Sequence, residues 1–303
     1  MTVVTPINIV DDVIIDYAVT TSTDANLEEY DSTKTTYVLM DEVQVASEKK
    51  KYKLAAETVA AGVIPKDNPT IWIESPLVEF AMFQYNNEYA STFEGGFSCT
   101  ITNANDIDTL FFQDFDGEKI KVEIIDFNDL ITDTYEQDIY DWQITNFGEY
   151  LFPTAPILER KIQFNFVNPS IKSIKVTITG VNTKCRYLVA GYKESIGCTL
   201  ANGVGYTQNN FYKSSRDAWG NMIETADRLI EDVTLPVIDK TEDSNRMANK
   251  TSRLLSSPHL FIADDREIKD VEFNFINIFG VLVSNNISPM SSITQKTLKI
   301  EGK

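Results

Sequence analysis

Phe111-Phe-Gln-Asp-Phe-Asp116-Gly117-Glu-Lys-Ile-Lys-Val-Glu-Ile-Ile125 is the stretch on which the fold turns. Two β-prone runs flank Asp116-Gly117. An Asp-Gly pair accepts the positive φ angles of a tight type I′ turn, so the stretch reads as a β-hairpin. In its second half Ile120, Val122 and Ile124 share one face, while Lys121 and Glu123 take the other. The same alternation recurs at Ile162, Phe164 and Phe166 and at Ile174, Val176 and Ile178, with Asn168-Pro-Ser170 as a turn between them. Half-buried strands this close in sequence predict antiparallel sheets. Residues 69–183 are therefore expected to form an antiparallel β-sandwich of jelly-roll type.

Downstream, residues 184–303 read as a second β domain with one packed helix. Arg186-Tyr-Leu-Val-Ala190 is a strand, and Val233, Leu235 and Val237 alternate. Thr241 can cap a helix running to about Ser256. Met247, Thr251, Leu254 and Leu255 make one stripe on it, away from Asn245, Arg246, Lys250 and Arg253. Phe261-Ile262, then Val271, Phe273 and Phe275, then Val281 and Val283, and finally Leu298 and Ile300 complete a second sheet. The helix stripe must bury against something, and that sheet is its partner.

Upstream, residues 1–68 read as an extended N-terminal arm or linker. Thr20–Thr36 is rich in Thr, Ser, Asp and Glu and has no apolar period. Tyr37-Val-Leu-Met40 and Val43-Gln-Val45 suggest a short strand. Glu48-Lys-Lys-Lys-Tyr-Lys-Leu-Ala-Ala-Glu57 suggests a short helical turn with a solvated lysine face. Gly62, Pro65 and Asn68-Pro69 punctuate the end of this region.

The chain has 303 residues, with 27 Lys plus Arg against 45 Asp plus Glu and a formal charge of −18. Its hydrophobic content, 43%, is that of a folded protein. The acidity argues against nucleic acid, whose phosphates need clustered cations, and against an anionic membrane surface. No run approaches the ~18 apolar residues of a membrane span. The N-terminus has no basic region followed by an apolar core, so it does not read as a secretory signal.

Chemistry is sparse. Cys99, Cys185 and Cys198 are too few and too odd in number for a disulfide framework, although a Cys185–Cys198 bridge stays open. They read as small apolar residues of a reducing compartment. His259 is the sole histidine, which rules out a His-built zinc site, and it reads as a turn residue rather than a general base. Asp106, Asp108, Asp114, Asp116, Asp126, Asp129, Asp133, Asp138 and Asp141 offer carboxylate pairs of the kind a glycosidase uses, but so many acids make any pair uninformative. Asp114-Phe-Asp116-Gly117 partly matches a calcium loop, with its glycine at the fourth position instead of the sixth. Trp72, Trp142, Tyr85, Tyr89, Tyr135 and Tyr140 suit either sugar stacking or a sandwich core. Of these, Trp142, Tyr135 and Tyr140 are the candidate glycan or partner contacts. Gly95-Gly96 and Gly203-Val-Gly205 lack the strand-to-helix setting of a phosphate loop. No catalytic, metal or cofactor residues are assigned, and no cofactor is expected.

An ordered set of short segments carries a resemblance. These are Cys185-Arg-Tyr-Leu-Val-Ala-Gly191, Ile196-Gly-Cys-Thr199 with Gly203, Tyr212-Lys-Ser-Ser-Arg-Asp-Ala-Trp-Gly-Asn221, Ser257-Pro-His-Leu-Phe-Ile262, Phe279-Gly280, Ser288-Pro289 and Leu298-Lys-Ile-Glu-Gly302. Upstream, Trp72 and Ala81-Met-Phe83 extend the set. Together, over roughly residues 52–302, the chain resembles a family of tailed-bacteriophage virion proteins, described as tail, neck or carbohydrate-binding-like structural proteins. It departs from the family pattern at Lys213, Trp219 and Gln84. The resemblance implies a non-enzymatic subunit of a tail, neck or tail-tip assembly. It further implies a location in the virion, homo-oligomeric rings and other phage proteins as partners. A glycan- or receptor-binding module on the particle is the alternative, with host-surface glycan as its ligand, and a glycoside hydrolase is the weaker one.

Overall fold

The computed structural model describes all residues except 16–20, 23, 25, 35–36, 60–61, 86–89, 142–156, 159, 167–170, 201, 211–213, 217–221, 225–228, 241, 243, 264–275 and 290–292. The protein is mainly β, built of curled antiparallel sheets. Its chain divides into two compact units, Asn8–Leu188 and Met1–Ile7 with Val189–Lys303. This division differs from the three segments expected at 1–68, 69–183 and 184–303.

In the unit Asn8–Leu188 a five-stranded sheet runs in the order Ile131–Asp138, Lys119–Ile125, Ser173–Thr179, Phe97–Thr102, Val13–Ile15. Ile120, Val122, Ile124, Ile174, Val176 and Ile178 are all at most 1% exposed, so the alternation places a continuous apolar face as the sequence predicts. The strand Thr109–Asp116 belongs elsewhere. It lies between Lys161–Asn165 and Asn182–Ser195 in another antiparallel sheet. The expected hairpin at Asp116-Gly117 is therefore a corner, where the chain leaves one sheet and enters the next.

Gly117 is required there by space. A Cβ would lie 2.7 Å from Ile178 Cγ2 and 3.0 Å from the Thr179 carbonyl oxygen. Asp116 caps the corner, its Oδ1 accepting the Gly117 N–H at 2.9 Å. The hairpin actually formed joins Lys119–Ile125 to Ile131–Asp138, with Lys119 opposite Asp138 and Ile124 opposite Asp133. Side chains from the two sheets meet: Phe93 stacks on Phe97 with centroids 4.6 Å apart, and Tyr135 packs on Phe164 at 6.2 Å.

Much of residues 1–68 is paired strand, contrary to the expected arm. Thr2–Pro6 sits between Asn182–Ser195 and His259–Ile262, and Val3 and Val4 are at most 1% exposed. Gly191 permits this approach, because a Cβ there would lie 2.2 Å from the Thr5 carbonyl oxygen. Val13–Ile15 pairs with Phe97–Thr102. Glu28–Glu29, Glu42–Val45, Lys50–Leu54 and Trp72–Pro76 form a four-stranded sheet. Half of the helical turn expected over Glu48–Glu57 is instead the strand Lys50–Leu54, since Tyr52 and Leu54, two apart, both bury with Tyr37, Val43 and Trp72. A period of two outweighs the helix propensity of the lysines.

In the unit Met1–Ile7 with Val189–Lys303, the core gathers Val3, Ile196, Val233, Leu235, Val237, Leu254, Phe261, Leu282, Leu298 and Ile300. Leu229–Lys240, Ile293–Gly302 and Ile278–Pro289 run side by side, all antiparallel. A bulge between Leu282 and Ser284 shifts the register. The α-helix Ser244–Arg253 lies inside the expected 241–256. From its predicted stripe Thr251 and Leu254 bury, whereas Leu255 is exposed. Asn285 Nδ2 donates to Thr251 Oγ1 at 2.8 Å and ties helix to sheet. Val271, Phe273, Phe275, the Thr241 cap and the Asn168-Pro-Ser170 turn lie outside the described residues.

Candidate functional site

The three residues singled out for glycan or partner contact do not form one described surface. Trp142 lies outside the described residues. Tyr140 begins a two-residue strand that pairs with Ile157–Leu158. Tyr135 is half-buried, with its ring against Phe164 at 6.2 Å and Phe166 at 5.5 Å. That ring serves packing between strands, and burial raises its phenol pKa above the ordinary value, with Asp133 adding to the shift.

Other chemistry-bearing groups are held in the interior. His259 opens the strand His259–Ile262 and is 5% exposed. Its Nδ1–H donates to the Ser257 carbonyl at 2.8 Å, which assigns the tautomer. Burial pushes its pKa below the ordinary histidine value, and the Ser257 bond opposes this. All three cysteines are free thiols; Cys99 and Cys185 are buried, and burial raises both thiol pKa values. Cys198 is exposed. Among the described residues no group of three His, Cys, Asp or Glu side chains is placed to hold a metal ion. No helix among them is long and apolar enough to cross a membrane.

Lys296 was not singled out from sequence, and it is 0% exposed. It shares its sheet face with Thr294, Leu298 and Ile300. Among the described residues its Nζ has no hydrogen-bond partner, nor do Thr294 Oγ1 and Asp239 Oδ2, which belong to the facing pair Asp239–Thr294. Burial lowers the amine's pKa, and the Asp239 carboxylate pulls it the other way.

Among the described residues, two loop tips combine exposed apolar side chains with hydrogen-bonded order. At the first, Val38, Leu39 and Met40 are 53%, 48% and 63% exposed. Met40 adopts φ 73°, an uncommon angle for a side chain of that size. Four bonds hold the tip: Val38 N–H to Asp41 Oδ2, Asp41 N–H to the Val38 carbonyl, Met40 N–H to the Leu54 carbonyl and Leu39 N–H to the Glu57 carbonyl.

At the second tip, Phe127, Leu130 and Ile131 are 56–63% exposed. One carboxylate organises this loop. Asp126 Oδ1 accepts the N–H groups of Asn128 and Leu130 at 2.8 and 2.9 Å, and Oδ2 accepts the Asn128 amide. The Leu130 bond first, and the Asn128 bonds with it, hold Asp126 below the usual carboxylate pKa. Lys172 ties down the neighbouring Asp129 at 2.5 Å. Asp126-Phe-Asn-Asp129 between two alternating runs is an Asx-turn signal that could have found this loop from sequence.

Comparison with protein-family models, with curated proteins and with solved structures finds no match to this chain.

Proposed function

We propose that this protein is a structural subunit of a tailed-phage virion, placed in the tail, neck or tail tip and acting by protein–protein assembly. The assignment to a particle rests on the ordered segments from Cys185 to Gly302 that resemble virion proteins. The assembly mode rests on one structural observation: apolar side chains stand exposed on loops that their own hydrogen bonds hold in shape. Phe127, Leu130 and Ile131 are the best instance. Exposed apolar groups on a floppy loop lose ordering entropy on binding, whereas a loop ordered beforehand avoids that cost. Clustered exposed apolar groups of this kind mark contact surfaces. Ring contacts would be head to tail with closed cyclic symmetry.

Two measurements test the proposal. Mass spectrometry of purified virions should find the chain, and sedimentation of the purified protein should show closed oligomers. Phe127→Ser with Leu130→Ser should shift those oligomers to monomer without unfolding the subunit. A monomer at all concentrations, absent from virions, overturns the reading.

A further inference from the structure

The edge strand Ile131–Asp138 carries a further inference, which deepens the assembly reading and rests on it. Among the described residues it pairs only with Lys119–Ile125. The Ile139 N–H donates to the Glu118 carbonyl at 3.0 Å, which fixes the phase of the ladder. The facing pair Lys119–Asp138 is then a non-hydrogen-bonded pair, as are Lys121–Glu136 and Glu123–Thr134. Thr134, Glu136 and Asp138 therefore turn their backbone N–H and C=O groups away from the sheet. Their side chains are exposed as well. Open edges are usually shortened, bulged or covered. This strand has eight residues, and its single register shift lies at its Ile131 end, opposite Ile124 and Ile125.

Charge guards the edge in place of those devices. Asp133, Glu136 and Asp138 line it, with Asp126 and Asp129 at the adjoining tip. Against them stand Lys119, 3.1 Å from Glu136 and 3.7 Å from Asp138, and Lys172 on Asp129. An added antiparallel strand must oppose outward-turned residues to outward-turned ones, so pairing with a second copy across a two-fold axis at Glu136 would set Glu136 opposite its own copy. Like charges directly opposed are destabilising, and a chain charge of −18 adds to the repulsion. The fitting occupant is basic.

We infer that this edge accepts an extended segment of a different protein as an added strand. That segment carries Lys or Arg at every second position to face Thr134, Glu136 and Asp138, and an apolar side chain at the end that meets Phe127, Leu130 and Ile131. Main-chain bonds supply affinity in such additions, and alternate side chains supply selectivity.

The test uses the full chain and a fluorescent ten-residue peptide alternating Lys with Val and Thr, against the same peptide with Glu in place of Lys. Fluorescence anisotropy should show binding of the basic peptide alone, weakening roughly tenfold between 50 and 300 mM salt. Hydrogen exchange should slow at residues 132–138. Thr134→Pro removes an outward N–H and leaves the internal ladder intact, so the fold survives and binding is lost. Glu136→Lys with Asp138→Lys should weaken binding about tenfold or more. Equal binding of both peptides, protection elsewhere, or full binding by Thr134→Pro overturns the inference. If virions contain the chain and no basic peptide binds, the edge inference fails and the assembly reading stands. Binding by a chain absent from virions has the opposite meaning.

Discussion

Lys119–Ile125 and Ile293–Gly302 are both interior strands whose residues alternate between buried and partly exposed. They treat lysine in opposite ways. In the first, Lys119 and Lys121 lie on the wetter face, 3.1 Å from Glu136 and 2.7 Å from Glu123. In the second, Lys296 takes the buried parity together with Leu298 and Ile300. A strand allows only two choices, because a one-residue slip swaps its faces. Burying Leu298 and Ile300 stabilises by about 1.5–3 kcal/mol each, whereas the opposite parity would bury Gln295, Thr297, Lys299 and Glu301, at about 1–3 kcal/mol or more for each group left unpaired. The aliphatic pair wins, and Lys296 and Thr294 are carried inside with it. Face choice thus follows the bulkiest apolar residues, and the remaining residues of that parity obey.

The comparison can be broken most severely at Val122, 0% exposed in the first strand. Val122→Asp buries an unpaired charge and should cost about 4 kcal/mol or more, seen as loss of soluble protein. Leu298→Ala attacks the residue that fixes the second strand's face. A loss of about 3 kcal/mol in urea unfolding is expected. Gly117→Asn sharpens the first case. Asn suits a positive-φ turn, so a hairpin turn would tolerate it. The corner, with Ile178 2.7 Å from the added Cβ, should lose about 2 kcal/mol.

Lys296→Met removes the orphaned amine while keeping its bulk, and stability should rise by about 1–2 kcal/mol. Lys121→Met, at an ion pair on the partly exposed face, should change stability less, within about 1 kcal/mol. Equal effects at the two lysines would erase the distinction drawn above.

The smallest expected effect is a pH dependence. His259, in the same sheet as Ile293–Gly302, has a folded pKa below its unfolded value. The unfolded chain then binds the proton more readily. The stability of the neutral buried ring is present above about pH 6.5 and is lost as pH falls through the folded pKa. Thermal melts of the wild type and His259→Gln should converge in slope between pH 7.5 and 8.5 and diverge between pH 6.5 and 5.5. Hydrogen exchange should place the difference in the unit containing Val189–Lys303.

Part of the site was legible in the sequence and part was not. Lys296 could have been found, because it has the parity of Leu298 and Ile300, two residues that already mark a buried face. The loop Asp126–Leu130 could have been found through its Asx pattern. Tyr135 misled for a physical reason: aromatic residues among acids look like a wet platform, yet every second residue of an edge strand still faces the neighbouring sheet, here Phe164 and Phe166. Residues 1–68 misled because their polar composition hid short strands. Val3 and Val4 are the apolar centre of one strand, flanked by threonines whose polarity suggests a tail.

By itself the sequence determined the local periods: the faces of Lys119–Ile125, Lys161–Asn165 and Ser173–Thr179, and the presence of a helix within about 241–256. Those follow from steric geometry that acts within a few residues. Tertiary structure alone decided which strands pair. Thr109–Asp116 and Lys119–Ile125 are separated by two residues and end in different sheets, because a close fit of Gly117 against Ile178 and burial against distant strands outweigh the turn preference of Asp-Gly. Pairing is settled by apolar area gained across long separations in the chain, and no short window of sequence contains that information.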